Sequence, residues 1–518
     1  MSKEKFLRGA LILTMAGLLV KAFGSVNRIL LSRLLGGEGI GLYQMAYPVY
    51  LLLLAVSAAG IPVAISIMVS GYLARGDYGN VRRILRVSLL LMTVVGVVLA
   101  SLLAIGADLI VTGGIISDQR VYFALLALVP AVLLGTVLAS LRGYFQGHQL
   151  MLPTAVSQIV EQFVRVTAML LLAYALLPRG LEYAAAGAAL GTVPGSAAGL
   201  VVLIIFYYKH SRSTSYEKYQ PLDTVATGAL LKRLLLLALP VSCANVLVPV
   251  TGSIDMLLVP NRLIACGYTV AEATTLFGYL AGMAQPLILM ATIPTASLAA
   301  SLVPAISEEH ILRNADAIGK KSAAAMKICC LITVPAAVGM TCSGELLSPL
   351  LYGTGKAAAA ITHSGPAIWL LGMQQVTACM LQGIGHIYLP MLNMLAGLLA
   401  KVVCVLLLTD AERNIIGAAW ATNINFGLAA ALNIWALMNY GIRFRWGEVT
   451  KIFTAALLMG ATVICLLSMT AGAGLLKSAA VIFTAAVIIY IVSLFILGVI
   501  GKEELLKFPL LNRIFRRK

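Results

Sequence analysis

The sequence predicts an all-α polytopic membrane protein, and three observations carry that prediction. Sixty per cent of its 518 residues are hydrophobic, only 11% are charged, and the mean hydropathy is +0.97; a soluble globular chain does not have that composition. Apolar runs recur from one end to the other, each long enough to cross a bilayer with about 20 residues at 1.5 Å rise. Basic residues gather in alternate segments between those runs, as they do in cytoplasmic loops. A formal charge of +17 taken alone would suggest nucleic acid. Its placement points to a membrane surface instead, and no nucleic-acid partner is expected.

Fourteen spans are expected, over residues 9–35, 42–73, 84–112, 120–141, 152–178, 183–208, 230–259, 273–306, 322–343, 357–382, 387–409, 414–438, 451–475 and 478–500. With the amino terminus inside, the cytoplasmic segments hold 26 of the 37 basic residues, among them Arg75, Arg82, Arg83, Arg86, Arg142 and Lys232. The outer segments hold Arg33, Arg120, Arg179, Arg262, Lys356, Arg413 and Lys477. Both termini are therefore expected in the cytoplasm, with the chain in the cell membrane. Lys3, Lys5 and Arg8 before an apolar run resemble a signal peptide, but the run is too long and is interrupted by Lys21 and Arg28, so an uncleaved first helix is expected. The eight cysteines form no CxxC pair and read as packing residues. The five histidines are scattered, there is no P-loop, and neither a metal, a cofactor nor an enzymatic activity is expected.

The first span carries charges that a crossing helix avoids. Lys21 falls near its middle, where a basic residue costs roughly 2.5 to 3.5 kcal/mol unless it faces a bundle interior or a watery cavity. Thr14, Gly17, Lys21, Gly24, Ser25, Arg28 and Ser32 follow at steps of three and four, so one face is small, polar and cationic. Arg33 is placed to snorkel to the interface, and Arg28 fits either role.

That opening stretch has an echo. GSVNRILLSRLL at 24–35 matches GSIDMLLVPNRLI at 252–264, MAYP at 45–48 matches MAQP at 283–286, AIS at 64–66 matches AIS at 305–307, and FQGHQLMLP at 145–153 matches LQGIGHIYLP at 381–390. The order is kept and the offsets are near-constant, which indicates a duplication. It pairs span 1 with 7, 2 with 8 and 4 with 10; an even shift keeps orientation, so two six-helix lobes related by a pseudo-two-fold along the membrane normal are expected, with spans 13 and 14 extra. The expected organisation is an N-lobe over 1–208, a cytoplasmic connector over 209–229, a C-lobe over 230–438, and the last two helices with a basic tail over 439–518.

Charged residues inside spans are the candidate site. Lys21 and Arg28 in the first helix are answered by Asp255 in its duplicate, which suits a cationic site for an anionic substrate or a salt bridge between lobes. Glu161 and Arg165 lie four apart in span 5 on one helix face, with Gln158 and Gln162 beside them, as an internal ion pair or as substrate contacts. Lys401 falls within one residue of the duplicate position of Arg165.

Residues 142–166, RGYFQGHQLMLPTAVSQIVEQFVRV, with EYAAAG at 182–187, LVPAISE at 302–308 and NRILLSRLLGGEGIGLY at 27–43, resemble the stage V sporulation protein B branch of the polysaccharide flippase family. That family is grouped with lipid II flippases and multidrug and toxin extrusion transporters. The resemblance implies two lobes opening alternately to either side of the membrane, a lipid-linked anionic substrate built on a polyprenyl pyrophosphate, and a first helix whose basic residues line the cavity. Lys21 falls at one such position; at a second the chain has Asn27, with Arg28 beside it. Basic positions of the second and eighth helices find no counterpart. Helices 13 and 14 resemble a pair that forms a groove for the lipid tail. The expected activity is movement of a peptidoglycan precursor such as lipid II for wall or spore cortex, with cell-wall synthesis enzymes as partners. The alternatives are a multidrug or cation antiporter, for which a first-span carboxylate is expected and missing, and a membrane-embedded transferase.

Overall fold

The structure is a computed structural model and describes residues 3–58, 60–214, 225–442, 444, 446–470 and 474–499. The side chains of Thr14 and Cys243, the connector residues 215–224, Arg443, Arg445 and the basic tail from 500 onward lie outside the described residues. Among the described residues there is no strand. Within the described residues, eleven helical stretches are long and apolar enough to cross a membrane. The first of them, Met15–Ala74, has 60 residues where one crossing needs about 20, and so holds more than one crossing. The chain is a multi-pass helical membrane protein.

Two compact units divide the chain, Met1–Pro286 with Asp410–Glu412, and Leu287–Thr409 with Arg413–Lys518. The first contains α1 (Lys3–Ala58), α2 (Ile61–Ala74), α3 (Tyr78–Thr112), α4 (Tyr122–Gly147), α5 (Met151–Leu176), α6 (Leu181–Leu190), α7 (Thr192–Thr214), α8 (Thr227–Ala265) and α9 (Val270–Phe277), followed by a π-helical stretch, Gly278–Ala284. The boundary falls inside α10 (Gln285–Ala291).

The first two expected spans are joined in α1 by a single non-helical residue, Gly36, at φ 68° and ψ −173°. Only glycine occupies that region without strain. The second span is broken again before α2, whose Pro62 sits in the first turn, where its missing N–H costs nothing. Asp77 starts α3 by accepting from the Asn80 N–H at 3.0 Å, and Thr269 and Glu272 cap α9 reciprocally. The core of this unit joins Ile65 and Met68 of α2, Ile84 and Met92 of α3, Phe145 of α4, Leu203 of α7 and Leu234 of α8. Helix α1 packs on α4, α5, α6 and α8, and α5 packs on α1 and α7.

At the α3–α4 turn, Arg120 donates to Asp118 Oδ2 and to Glu38 Oε1, both at 2.7 Å, and Thr274 donates to Asp118 at 2.8 Å. Burial works to raise the Asp118 carboxyl, but the hydrogen bonds from Arg120 and Thr274 bring it below the usual carboxylate value. Nearby, Ser32 Oγ donates to the Gly282 carbonyl at 3.0 Å, and Gln44 Nε2 to that of Ala281 at 2.5 Å, so polar side chains of α1 engage carbonyls of the π-helical stretch.

The second unit contains α11 (Ile293–Ile311), α12 (Ala315–Cys342), α13 (Gly344–Tyr352), α14 (Ala358–Ser364), α15 (Pro366–Gly383), α16 (Tyr388–Leu408), α17 (Ile415–Asn439), α18 (Trp446–Met469) and α19 (Leu475–Ile496). Its core gathers Ile306, Cys329, Cys330, Val376, Met380, Leu437 and Ile452. A polar chain crosses it, Asn393 to Asn433 at 2.8 Å and Asn433 to Thr377 at 3.2 Å, and Lys401 is wholly buried in α16. Helices α18 and α19 pack together through Met459, Val463, Ile482 and Ala486.

Candidate functional site: a buried cationic cavity

The polar stripe of α1 meets the polar face of α5. Residues Gln162, Arg165 and Met169 of α5 recur at steps of three and four and so point the same way. Between them and α1 lies a cavity of about 150 Å³, lined by Gly24, Asn27, Arg28, Tyr43, Tyr47, Gln162, Arg165 and Met169. At about 30 Å³ per water, it has room for about five waters or a small anion. The rings of Tyr43 and Tyr47 stack at 5.2 Å, and Asn27 Nδ2 donates to the Met169 sulfur at 3.3 Å.

Behind the cavity is an ion-pair relay on α4 and α5. Glu161 Oε2 accepts from Arg142 Nη2 at 2.6 Å, and Arg142 also donates to Ser157 Oγ at 3.0 Å. Arg165 Nη2 donates to the other Glu161 oxygen. All three side chains are only 13 to 17% exposed. Helix α7 closes over this pair with glycine: a Cβ at Gly195 would stand 2.6 Å from the Arg165 Cβ, and one at Gly199 would stand 3.1 Å from that of Glu161. The Nε of Arg165 has no hydrogen-bond partner among the described residues. No carboxylate pairs with Arg28 among the described residues. Three arginines against one glutamate leave two net positive charges around the cavity, which can hold an anion by charge-assisted hydrogen bonds.

The structure thus brings Asn27, Arg28, Glu161 and Arg165 together. Lys21 is exposed, one turn before Gly24, and is not among the cavity residues; its carbonyl accepts from Ser25 Oγ at 3.1 Å. Asp255 is 7% exposed in α8, also away from the cavity lining. Sequence reasoning missed Arg142, counting it as a loop charge at a span end. In the structure it stands more than a turn inside the end of α4, which runs on to Gly147. Tyr43 and Tyr47 were missed as well.

Fold and site together define a multi-pass membrane protein with a buried cationic cavity in its N-terminal unit. The chain belongs to the polysaccharide biosynthesis protein family, whose model matches residues 6–310. It is 31% identical to "Stage V sporulation protein B" of Bacillus subtilis (strain 168), with all of both chains covered. It is 27% identical to "Lipid II flippase MurJ" of the same organism, over 77% of this chain and 76% of that one. Among solved structures, "Lipid II flippase MurJ, inward closed conformation" shares the fold, with TM-score 0.71 and 14% identity, over 93% of this chain and 98% of that one.

Proposed function

We propose that this protein is a flippase that moves a polyprenyl-pyrophosphate-linked sugar across the cell membrane. The observation that carries this reading is the cavity between α1 and α5, with Arg28 and Arg165 on its wall and two net positive charges around it. A diphosphate with a sugar head cannot enter hydrocarbon unaided, because its charges and hydroxyls would lose water without replacement. Guanidinium groups supply that replacement in bidentate form, while the prenyl tail stays in lipid. The relatives' names, a sporulation protein and a lipid II flippase, favour a peptidoglycan precursor as the cargo. The rest of the proposal is fourteen spans, two six-helix lobes in alternating access with the connector over 209–229, helices α18 and α19 outside the repeat, both termini in the cytoplasm, cell-wall synthesis enzymes as partners, and no chemical conversion of the cargo. Lys21 and Asp255 belong to the proposed path as residues the head meets outside the cavity.

The test is transbilayer movement of a labelled polyprenyl-pyrophosphate sugar in proteoliposomes. Arg28→Ala should slow movement at least about tenfold, since a charge-assisted bond to a desolvated anion is worth about 1.5–3 kcal/mol. Lys21→Ala, whose side chain lies outside the cavity, should have the smaller effect. Full movement by Arg28→Ala protein inserted at normal levels would overturn the reading.

A further inference from the structure

A second cavity in the first unit is apolar, and the flippase reading does not use it. It has a volume of about 680 Å³, within the range of roughly 300–1,000 Å³ typical of ligand pockets. Val56 of α1, Met92 of α3, and Leu235 and Leu239 of α8 form its walls. Val56, Leu235 and Leu239 are 54, 47 and 65% exposed, so the groove opens sideways, toward hydrocarbon in a membrane. At its deep end are two hydroxyls already engaged within the protein: Ser57 Oγ donates to the Leu53 carbonyl at 2.8 Å, and Ser242 Oγ accepts from the Gly60 N–H at 3.1 Å. With both hydroxyls engaged by the backbone, this end suits a hydrocarbon chain. The other end has the opposite character. Lys232 lines it in the second turn of α8, and Arg83 of α3 donates to Thr227 Oγ1 at 3.0 Å where α8 begins.

We infer that this groove holds one anionic phospholipid, its phosphate at Lys232 and Arg83 and an acyl chain running inward to Ser57 and Ser242. The placement of the charges selects this occupant. A ligand whose charge stays at the membrane surface while its chain follows the groove is a leaflet lipid, whereas a cargo that is carried across must take its charge away from the surface. Lys232 and Arg83 belong to the basic segments read as cytoplasmic, and the cytoplasmic leaflet supplies anionic lipid. The deep end abuts Gly60, the junction of α1 and α2, so the lipid touches a break in the helix pair.

Replacing Leu239 by tryptophan places a reporter in the groove at an exposed position. The natural tryptophans, Trp369, Trp420, Trp435 and Trp446, are far along the chain and are subtracted using the parent protein. The full chain is reconstituted with brominated phosphatidylglycerol or brominated phosphatidylcholine, and quenching is measured against mole fraction. Phosphatidylglycerol should reach half-quenching at a roughly 25-fold lower mole fraction, and Lys232→Ala should cut that preference about fivefold, since each of the two basic residues at the surface contributes about that factor. Leu235→Trp repeats the measurement should the first variant insert poorly. Equal quenching by the two lipids, a preference unchanged by Lys232→Ala, or displacement by stoichiometric polyprenyl phosphate would each overturn the assignment, the last by giving the groove to a cargo tail. Because the readout is lipid quenching, it stands or falls independently of transport.

Discussion

Glu161 holds two arginines at once, and its removal should be felt more than that of any one cation. With glutamine there, Arg142 and Arg165 face each other across a neutral amide in a site less than a fifth exposed. Breaking a buried pair costs about 3–5 kcal/mol because the remaining charge stays desolvated. Glu161→Gln should therefore lower the unfolding free energy by about 3 kcal/mol, read as a lower midpoint in thermal or denaturant unfolding of the purified protein. Arg28→Ala should cost under about 1 kcal/mol by the same measurement, because Arg28 is half-buried and no ion pair is broken among the described residues. A large loss from Arg28→Ala with none from Glu161→Gln would contradict the charge arrangement. The i, i+4 spacing made Glu161 and Arg165 legible from sequence, the stripe of small and polar residues did so for Arg28, and Asn27 came only from the family resemblance. Arg142 was not legible: its partner is 19 residues away on another helix, and a cation near a span end looks like a loop charge.

At the scale of elements, α1 depends on one backbone conformation. A Cβ at Gly36 would meet nothing within 4 Å, so Gly36→Ala changes no contact and tests the backbone alone. At φ 68° and ψ −173° the substitution should cost about 1–3 kcal/mol. The check is the unfolding midpoint of Gly36→Ala beside that of Gly71→Ala, which also has open space but no positive φ. The break between α1 and α2 and the one at Thr292 before α11 fall inside expected spans because hydropathy runs through them unchanged; Gly60, Pro62 and Pro294 are the residues that mark them in the sequence. Helix α13 fell in an expected loop because nine residues are too few for a span.

For the whole molecule, the fold class was plain from hydropathy, since apolar runs of spanning length have few alternatives in a bilayer. How polar faces of different helices meet was not plain, because periodicity gives a face but not its neighbour. Stability of the whole chain should also depend on pH through His148, at the end of α4. Burial pushes its imidazole down to about 4 from an ordinary 6.5, and the His210 ring at 5.1 Å acts in the same direction, against the Tyr144 carbonyl at 2.9 Å. A lowered value means that the fold favours the neutral ring. That contribution is complete above about pH 6.5 and is lost as the pH falls from about 6.5 toward about 4. Thermal unfolding of the native protein should therefore weaken more steeply over that window than that of His148→Gln; parallel curves would remove His148 from the account.

The glycines of α7 have a consequence for anyone mapping the site by tolerance to change. Gly195 and Gly199 bring no functional group to Arg165 and Glu161, yet any larger residue would press on the backbone or stem of that pair. A saturation scan of this chain would therefore mark α7 as strictly as α5, and positions that refuse substitution would trace the wall around the charges as well as the charges themselves.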